Sequence, residues 1–266
     1  PNSAGEVVKG VQELEGPQGP TRAREVVPLS GSARCARHTS SRVAVATAVG
    51  KESSLALWNL NNHEKPRFNK LKGQVASFDL WEELLLVLRQ GGSLSLHDLT
   101  DPRSQATSLG KKDDGHALAA HWMHGRAAVA YPKKVALINA ESGAAESLPL
   151  CDPVLCPLDE QHLAVSTGTS WLLWDVRRPS SSAAVAPSGF RCQALAKLSA
   201  DAVSAAGDGA LWWMDLRMQR WSRWVQLPKR ADRDVSVKSL LPGHSCVSAQ
   251  FDDQSLATWH RGSGIR

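Results

Sequence analysis

Apolar side chains alternate with small or polar ones in short runs along the whole chain, and each run ends in a turn signal. Runs of β-branched or small apolar residues at 42–49, 83–88, 126–131, 162–167, 202–206 and 246–251 stop at Gly, Asp, Lys or Ser, as strands entering hairpins do. Gly91-Gly92 and Asp208-Gly209 are hairpin turns of the kind that accepts positive φ. A second run follows each of these and carries a recurring pattern. A small or basic residue is followed by three mostly apolar ones, then by Trp or a substitute, then by Asp, Asn or His. The Trp position is held by Trp58, His97, Ile138, Trp174, Met214 and Trp259, at intervals of 39, 41, 36, 40 and 45 residues. Shorter apolar stretches precede the pairs (74–80, 116–122, 191–198, 235–241), and weaker ones follow them (106–109, 146–150, 183–186, 221–227). Each repeat therefore reads as four strands.

A four-stranded repeat of roughly 40 residues has the spacing of a propeller blade, whose sheet buries its faces only against neighbouring blades. The expected fold is all-β: a β-propeller of six four-stranded blades, with seven blades as the alternative. The last copy leaves seven residues beyond Trp259, ending at Arg266, too few for an outer strand. The segment Arg24-Glu25-Val26-Val27-Pro28-Leu29 has the composition of the other outer strands and is expected to complete the last blade, leaving no long sheet edge. Residues 1–23, with Gly5, Gly10, Gly16, Pro17, Gly19 and Pro20, are expected to be a flexible leader before a single propeller domain over 24–266.

Composition narrows the class. An apolar fraction of 42% is that of an ordinary globular chain, and no run approaches the roughly 18 apolar residues that span a bilayer. Neither an initiator Met nor a basic-then-apolar leader opens the sequence. Five cysteines (Cys35, Cys151, Cys156, Cys192, Cys246) make an odd count without a C-x-x-C spacing, so thiols rather than a disulfide framework are expected. Cys35, Cys192 and Cys246 fall in predicted strands as small hydrophobes. Cys151 and Cys156 fall in a predicted loop. With no N-x-S/T sequon, the expected compartment is intracellular, cytoplasm or nucleus. The net charge of +5 is far below that of a dedicated nucleic-acid binder.

The run Asp208-Gly209-Ala210-Leu211-Trp212-Trp213-Met214-Asp215 resembles the WD-repeat family of β-propellers, with its Asp-Gly turn, alternating strand and terminal aromatic-Asp, Met214 standing in place of Trp. Trp58-Asn59, Trp174-Asp175 and Trp259-His260 keep the aromatic, and the resemblance spans about residues 24–266. It implies a Gly-His pair before the inner strand, whose His bonds a turn Asp and the strand Trp. Only Gly115-His116 fits, and the turn Asp remains as Asp208 and Asp253 alone. With no complete network, apolar packing by Leu55, Leu57, Leu94, Leu96, Leu137 and Leu173 is expected to hold the blades.

No spacing of reactive residues demands an enzyme. There is no G-x-x-x-x-G-K-[ST], no G-x-G-x-x-G after a strand, no H-E-x-x-H and no G-x-S-x-G. His121 and His124 lie three apart and face opposite sides of a strand and turn, a poor metal pair. No catalytic residue, cofactor or metal is therefore assigned. Two surfaces stand out for binding. The first is Trp212, Arg217, Arg220, Trp221, Arg223 and Trp224, continuing to Lys229-Arg230. Alternation buries Leu211 with Trp213 and turns Trp212 the other way. There it serves as an interface hot spot, as a stacking platform for RNA bases, or as packing against the next blade under Arg stems. The second is Trp174-Asp175-Val176-Arg177, echoed by Met214-Asp215-Leu216-Arg217. Its W-D-x-R ending resembles the motif of substrate receptors docked on the damaged-DNA-binding-protein adaptor of cullin-RING ubiquitin ligases; the plain alternative is a local surface ion pair. The expected function is a non-enzymatic scaffold binding other proteins of a multi-subunit assembly. A ligase substrate receptor and an RNA-associated propeller are the alternatives, and no membrane insertion is expected.

Overall fold

The computed structural model describes residues 6–9, 25–28, 32–39, 42–49, 51–59, 67–71, 73–100, 106–109, 116–177, 185–218, 220–227, 236–242, 246–252 and 256–260. Every regular element in them is a strand. No helix of the described residues is long and apolar enough to cross a membrane.

The chain begins with β1 (Glu6–Lys9) and β2 (Glu25–Pro28), paired antiparallel with Val7 opposite Val27 and Val8 opposite Val26. This corrects two expectations. Part of the supposed leader is a strand, and β2 belongs to a two-stranded sheet with β1 instead of completing the last blade. The reason is proximity in sequence, because two Val-Val runs with high strand propensity, separated by residues 10–24, pair at less entropic cost than β2 would with strands at the far end of the chain.

Six meanders follow in chain order. The first holds β3 (Ser32–His38), β4 (Arg42–Val49), β5 (Glu52–Asn59) and β6 (Arg67–Leu71). The second holds β7 (Val75–Trp81), β8 (Leu84–Arg89), β9 (Leu94–Asp98) and β10 (Thr107–Leu109). The third holds β11 (Ala119–Met123), β12 (Arg126–Tyr131), β13 (Lys134–Asn139) and β14 (Ala145–Pro149). The fourth holds β15 (Val154–Pro157), β16 (His162–Thr167), β17 (Ser170–Asp175) and β18 (Val185–Pro187). The fifth holds β19 (Cys192–Ser199), β20 (Ala202–Gly207), β21 (Ala210–Asp215) and β22 (Arg220–Gln226). The sixth holds β23 (Val237–Pro242), β24 (Cys246–Phe251) and β25 (Leu256–His260), three strands among the described residues. Neighbours in sequence pair in each sheet, and the fold is an all-β, six-bladed β-propeller. The Asp208-Gly209 turn has φ of 48° and 67°, the positive values that a two-residue hairpin of this type needs.

The chain divides into two units, residues 1–120 and 121–266. In the first, Ala44, Ala46, Leu55 and Leu57 of one blade pack on Val75, Phe78, Leu80, Leu85 and Val87 of the next. In the second, the fifth blade is covered on both faces. Ala194, Ala206 and Leu211 meet Val237, Leu240, Val247 and Phe251 of the sixth blade. On the other side Val203, Leu195 and Trp221 meet Cys156, Leu158 and Ala164 of the fourth. A strand in such a blade has no face reserved for water, which decides the orientation of several side chains below.

Apolar packing holds the blades, as the incomplete polar network predicts. Leu55, Leu57, Leu94 and Leu137 are buried, and Leu96 and Leu173 are half-buried. His116 Nδ1 lies 3.0 Å from the Gln90 carbonyl oxygen. The buried indole Nε1 atoms of Trp58 and Trp174 have no hydrogen-bond partner among the described residues.

Candidate functional site

The last residue of the repeat has a job that the sequence pattern did not disclose. In four consecutive blades its side chain caps the turn that follows the third strand. Asp98 Oδ1 accepts from the Thr100 amide at 2.8 Å, and Asn139 Oδ1 accepts from the amides of Glu141 and Ser142 at 2.9 Å. Asp175 Oδ1 accepts from the Arg177 amide at 3.0 Å, and Asp215 Oδ1 from the Arg217 amide at 2.9 Å. A short carboxylate or amide side chain reaches its own backbone two residues on, which is why Asp and Asn recur there. The prevalence of Asp and Asn at that position, in five of the six copies, was the available signal.

In the fourth and fifth blades the same carboxylate does more. The Arg177 guanidinium donates from Nε to Asp175 Oδ1 at 2.9 Å and from Nη2 to Oδ2 at 2.8 Å. Arg217 repeats the arrangement on Asp215 at 3.1 and 2.7 Å. Both are two-bonded fork contacts, the strongest geometry open to this pair. The Arg177 hydrogen bonds hold the Asp175 carboxyl well below the usual carboxylate range, and Arg217 holds Asp215 at about 2. The turns themselves are anchored. The Val176 amide donates to the Gln161 carbonyl and the Leu216 amide to that of Asp201, both at 2.8 Å. Arg126 of β12 donates to the Val176 carbonyl at 3.0 Å. The Arg side chains stay open to water, 54% exposed for Arg177 and 72% for Arg217. Trp174 is 1% exposed, so this expected contact residue lies beneath the surface as packing. The arrangement is a local ion pair whose guanidinium stays open to water.

At the centre of the Trp/Arg stretch stands Trp212, whose expected arrangements included packing against the next blade as well as an outward ring. Trp212 does not point outward: its ring lies parallel to Phe190 with centroids 4.5 Å apart, and its indole N–H donates to the Gly207 carbonyl at 3.1 Å. The equivalent Ala56, Ser95, Ala136 and Leu172 are buried in their own blades. Small residues recur at that position because it is buried in each of these blades. Trp221 meets Phe190 edge-on at 5.2 Å and Trp171 at 6.1 Å, and Trp224 packs on the core shared by the fifth and sixth blades. Arg220 and Arg223 are exposed. Lys229, Arg230, Gly115 and Asp253 lie outside the described residues.

Cys156 lies in β15, not in the expected loop; it is buried, and burial pushes its thiol up to about 12. Burial likewise raises Cys192 to about 11, while Cys246 is buried and Cys151 exposed. The Cys35 side chain lies outside the described residues. His124 occupies a turn, 3.6 Å from Glu160. No group of three or more His, Cys, Asp or Glu among the described residues is arranged to hold a metal.

No protein-family model matches this chain, and no curated protein matches it. Among solved structures, a chain in the crystal structure of a mitotic checkpoint complex superposes with a TM-score of 0.70 at 15% identity, covering 89% of this chain and 81% of that one. The likeness is one of fold.

Proposed function

We propose that this chain is a non-enzymatic protein-interaction scaffold, a subunit of a larger intracellular assembly, which binds partners through the rim of its fourth and fifth blades. The observation that carries this reading is the duplicated pair: Asp175 with Arg177 and Asp215 with Arg217, the same two-bonded fork on successive blades. Each guanidinium is exposed yet already fixed, so little side-chain entropy is lost when a partner docks. Arginine is also among the residues that dominate interface energetics. A second reading is favoured by the Trp174-to-Arg177 geometry in particular, with a buried Trp beneath an exposed Asp–Arg fork: a substrate receptor that offers Arg177 to a ubiquitin-ligase adaptor. The RNA reading loses its footing, because base stacking needs open ring faces and Trp212 and Trp221 spend theirs on Phe190 and Trp171.

Tagged wild type and an Arg177→Ala/Arg217→Ala variant of equal melting temperature, captured from cells and compared by quantitative mass spectrometry, test both readings. The scaffold reading expects a reproducible set of proteins to drop out with the arginines. Selective loss of a cullin adaptor with Arg177→Ala alone would establish the second. An unchanged set overturns the rim as the binding surface.

A further inference from the structure

We infer that the outer edge of β22 receives an acidic, extended segment of a protein partner as an added strand. This rests on the scaffold reading only in taking the ligand to be a protein, and it uses a surface other than the paired arginines of the rim. β22 is the terminal strand of its sheet, paired on one side with β21. At seven residues it is longer than the outer strands β6, β10, β14 and β18, which have five, three, five and three. A long edge strand presents a row of backbone donors and acceptors to any extended chain.

Charge selects the occupant. Arg220 and Arg223 stand exposed on this strand, Arg220 opposite Asp215 and Arg223 opposite Trp212. Among the described residues neither guanidinium makes a hydrogen bond or an ion pair, in contrast to Arg177 and Arg217. Three apart in a stretch of unbroken register, the two arginines stand on opposite faces of β22, with Trp221 and Trp224 held by the cores on either side. An incoming strand with acidic residues meets a cation on each face, whereas a second copy of β22 brings like charges together and is repelled.

Fluorescence anisotropy on the full chain tests this with four labelled probes. They are a seven-residue peptide alternating Glu and Val, the same peptide with alternate backbone nitrogens methylated, a Lys/Val counterpart, and a single-stranded oligouridylate. The Glu/Val peptide should bind and should slow amide exchange along β22, while the methylated and Lys/Val peptides should not bind. Arg220→Glu/Arg223→Glu should weaken the Glu/Val peptide roughly tenfold, the scale of two exposed ion pairs made and then reversed, with the melting temperature unchanged. If charge reversal lowers that temperature, Arg220→Gln/Arg223→Gln reads the same effect. Equal binding of the methylated peptide overturns strand addition, and absence of Glu/Val binding overturns the site. Preferential binding of oligouridylate with the same arginine dependence overturns a protein partner. Because Arg177 and Arg217 stay intact throughout, failure here leaves the rim proposal standing, and failure of the rim leaves this edge to be judged by itself.

Discussion

Trp212 lies flat on Phe190, 4.5 Å between centroids and 3° between ring planes, and the stack joins the strand carrying the repeat motif to the segment that leads into β19. Trp221 meets the edge of the same Phe190 ring, so the three form one aromatic wall on the side of the fifth blade that faces the fourth. Aromatic pairs in these geometries add about 0.5–1.5 kcal/mol beyond their burial.

Trp212→Ala is accordingly expected to cost about 3 kcal/mol of folding stability, at the lower end of large aromatic truncations because the ring is half-buried. Phe190→Ala should cost a similar amount, and the double variant less than the sum. Urea unfolding measures all three. A Trp212→Ala protein as stable as wild type would contradict the packing described.

Gly207 sits under this wall for lack of a side chain. A Cβ there would strike the Arg191 carbonyl oxygen and come within 2.8 Å of Phe190 Cδ2. Gly207→Ala should therefore cost about 2 kcal/mol or more through forced backbone movement. Gly91→Ala is the control, since nothing lies within 4 Å of its added carbon. Equal unfolding midpoints for the two variants would show that the close approach is absent.

Trp174 is held by its ring and not by its N–H, which lacks a partner among the described residues. Trp174→Phe should be the milder change, about 1–2 kcal/mol, because it keeps an aromatic ring and leaves only a small cavity. Trp174→Ala should cost about 3–5 kcal/mol. A Phe variant as damaged as the Ala variant would mean that the indole N–H is bonded after all.

Acid should act in two steps. His97 occupies the Trp position of the second blade, with Nε2 3.0 Å from Ser95 Oγ, which also accepts from Arg89 Nη1 at 2.8 Å. Burial, and after it the Arg89 charge, hold the His97 pKa below its ordinary value. The unfolded chain then takes up this proton first, so stability is complete above pH of about 6.5 and declines below it. Asp175 and Asp215, depressed by Arg177 and Arg217, contribute stability that is present above about pH 4 and lost as their carboxylates protonate. Urea midpoints at pH 7.5, 5.5 and 3 follow both steps, and His97→Gln should remove the first alone. A flat profile between pH 7.5 and 5.5 would count against the His97 environment.

The strands were legible because alternation with period two leaves a strong trace. β4, β12, β16 and β24 fall on the limits that their apolar runs predict, and β8 and β20 fall within a residue of them. What escaped depended on which faces are wet. Alternation separates Trp212 from Trp213 correctly, but only the stacking of blades shows that the second face is also covered. The pairing of β1 with β2 was hidden for a related reason: composition marks Glu25–Pro28 as a strand without naming its neighbour. The Asp–Arg fork was visible as spacing, whereas the bonds that tie its turns down come from Gln161, Asp201 and Arg126, which lie elsewhere in the chain.

The central claim is that the rim bearing Arg177 and Arg217 touches a protein partner, and photo-crosslinking from within it is the most direct test. Met218, 70% exposed and adjacent to Arg217, is replaced by benzoylphenylalanine, and exposed Ala145 on β14 by the same group as a control. Irradiation of intact cells should give a discrete protein adduct from position 218 that vanishes in the Arg177→Ala/Arg217→Ala background, and none from position 145. An adduct that persists without the two arginines, or equal labelling from both positions, would contradict the account.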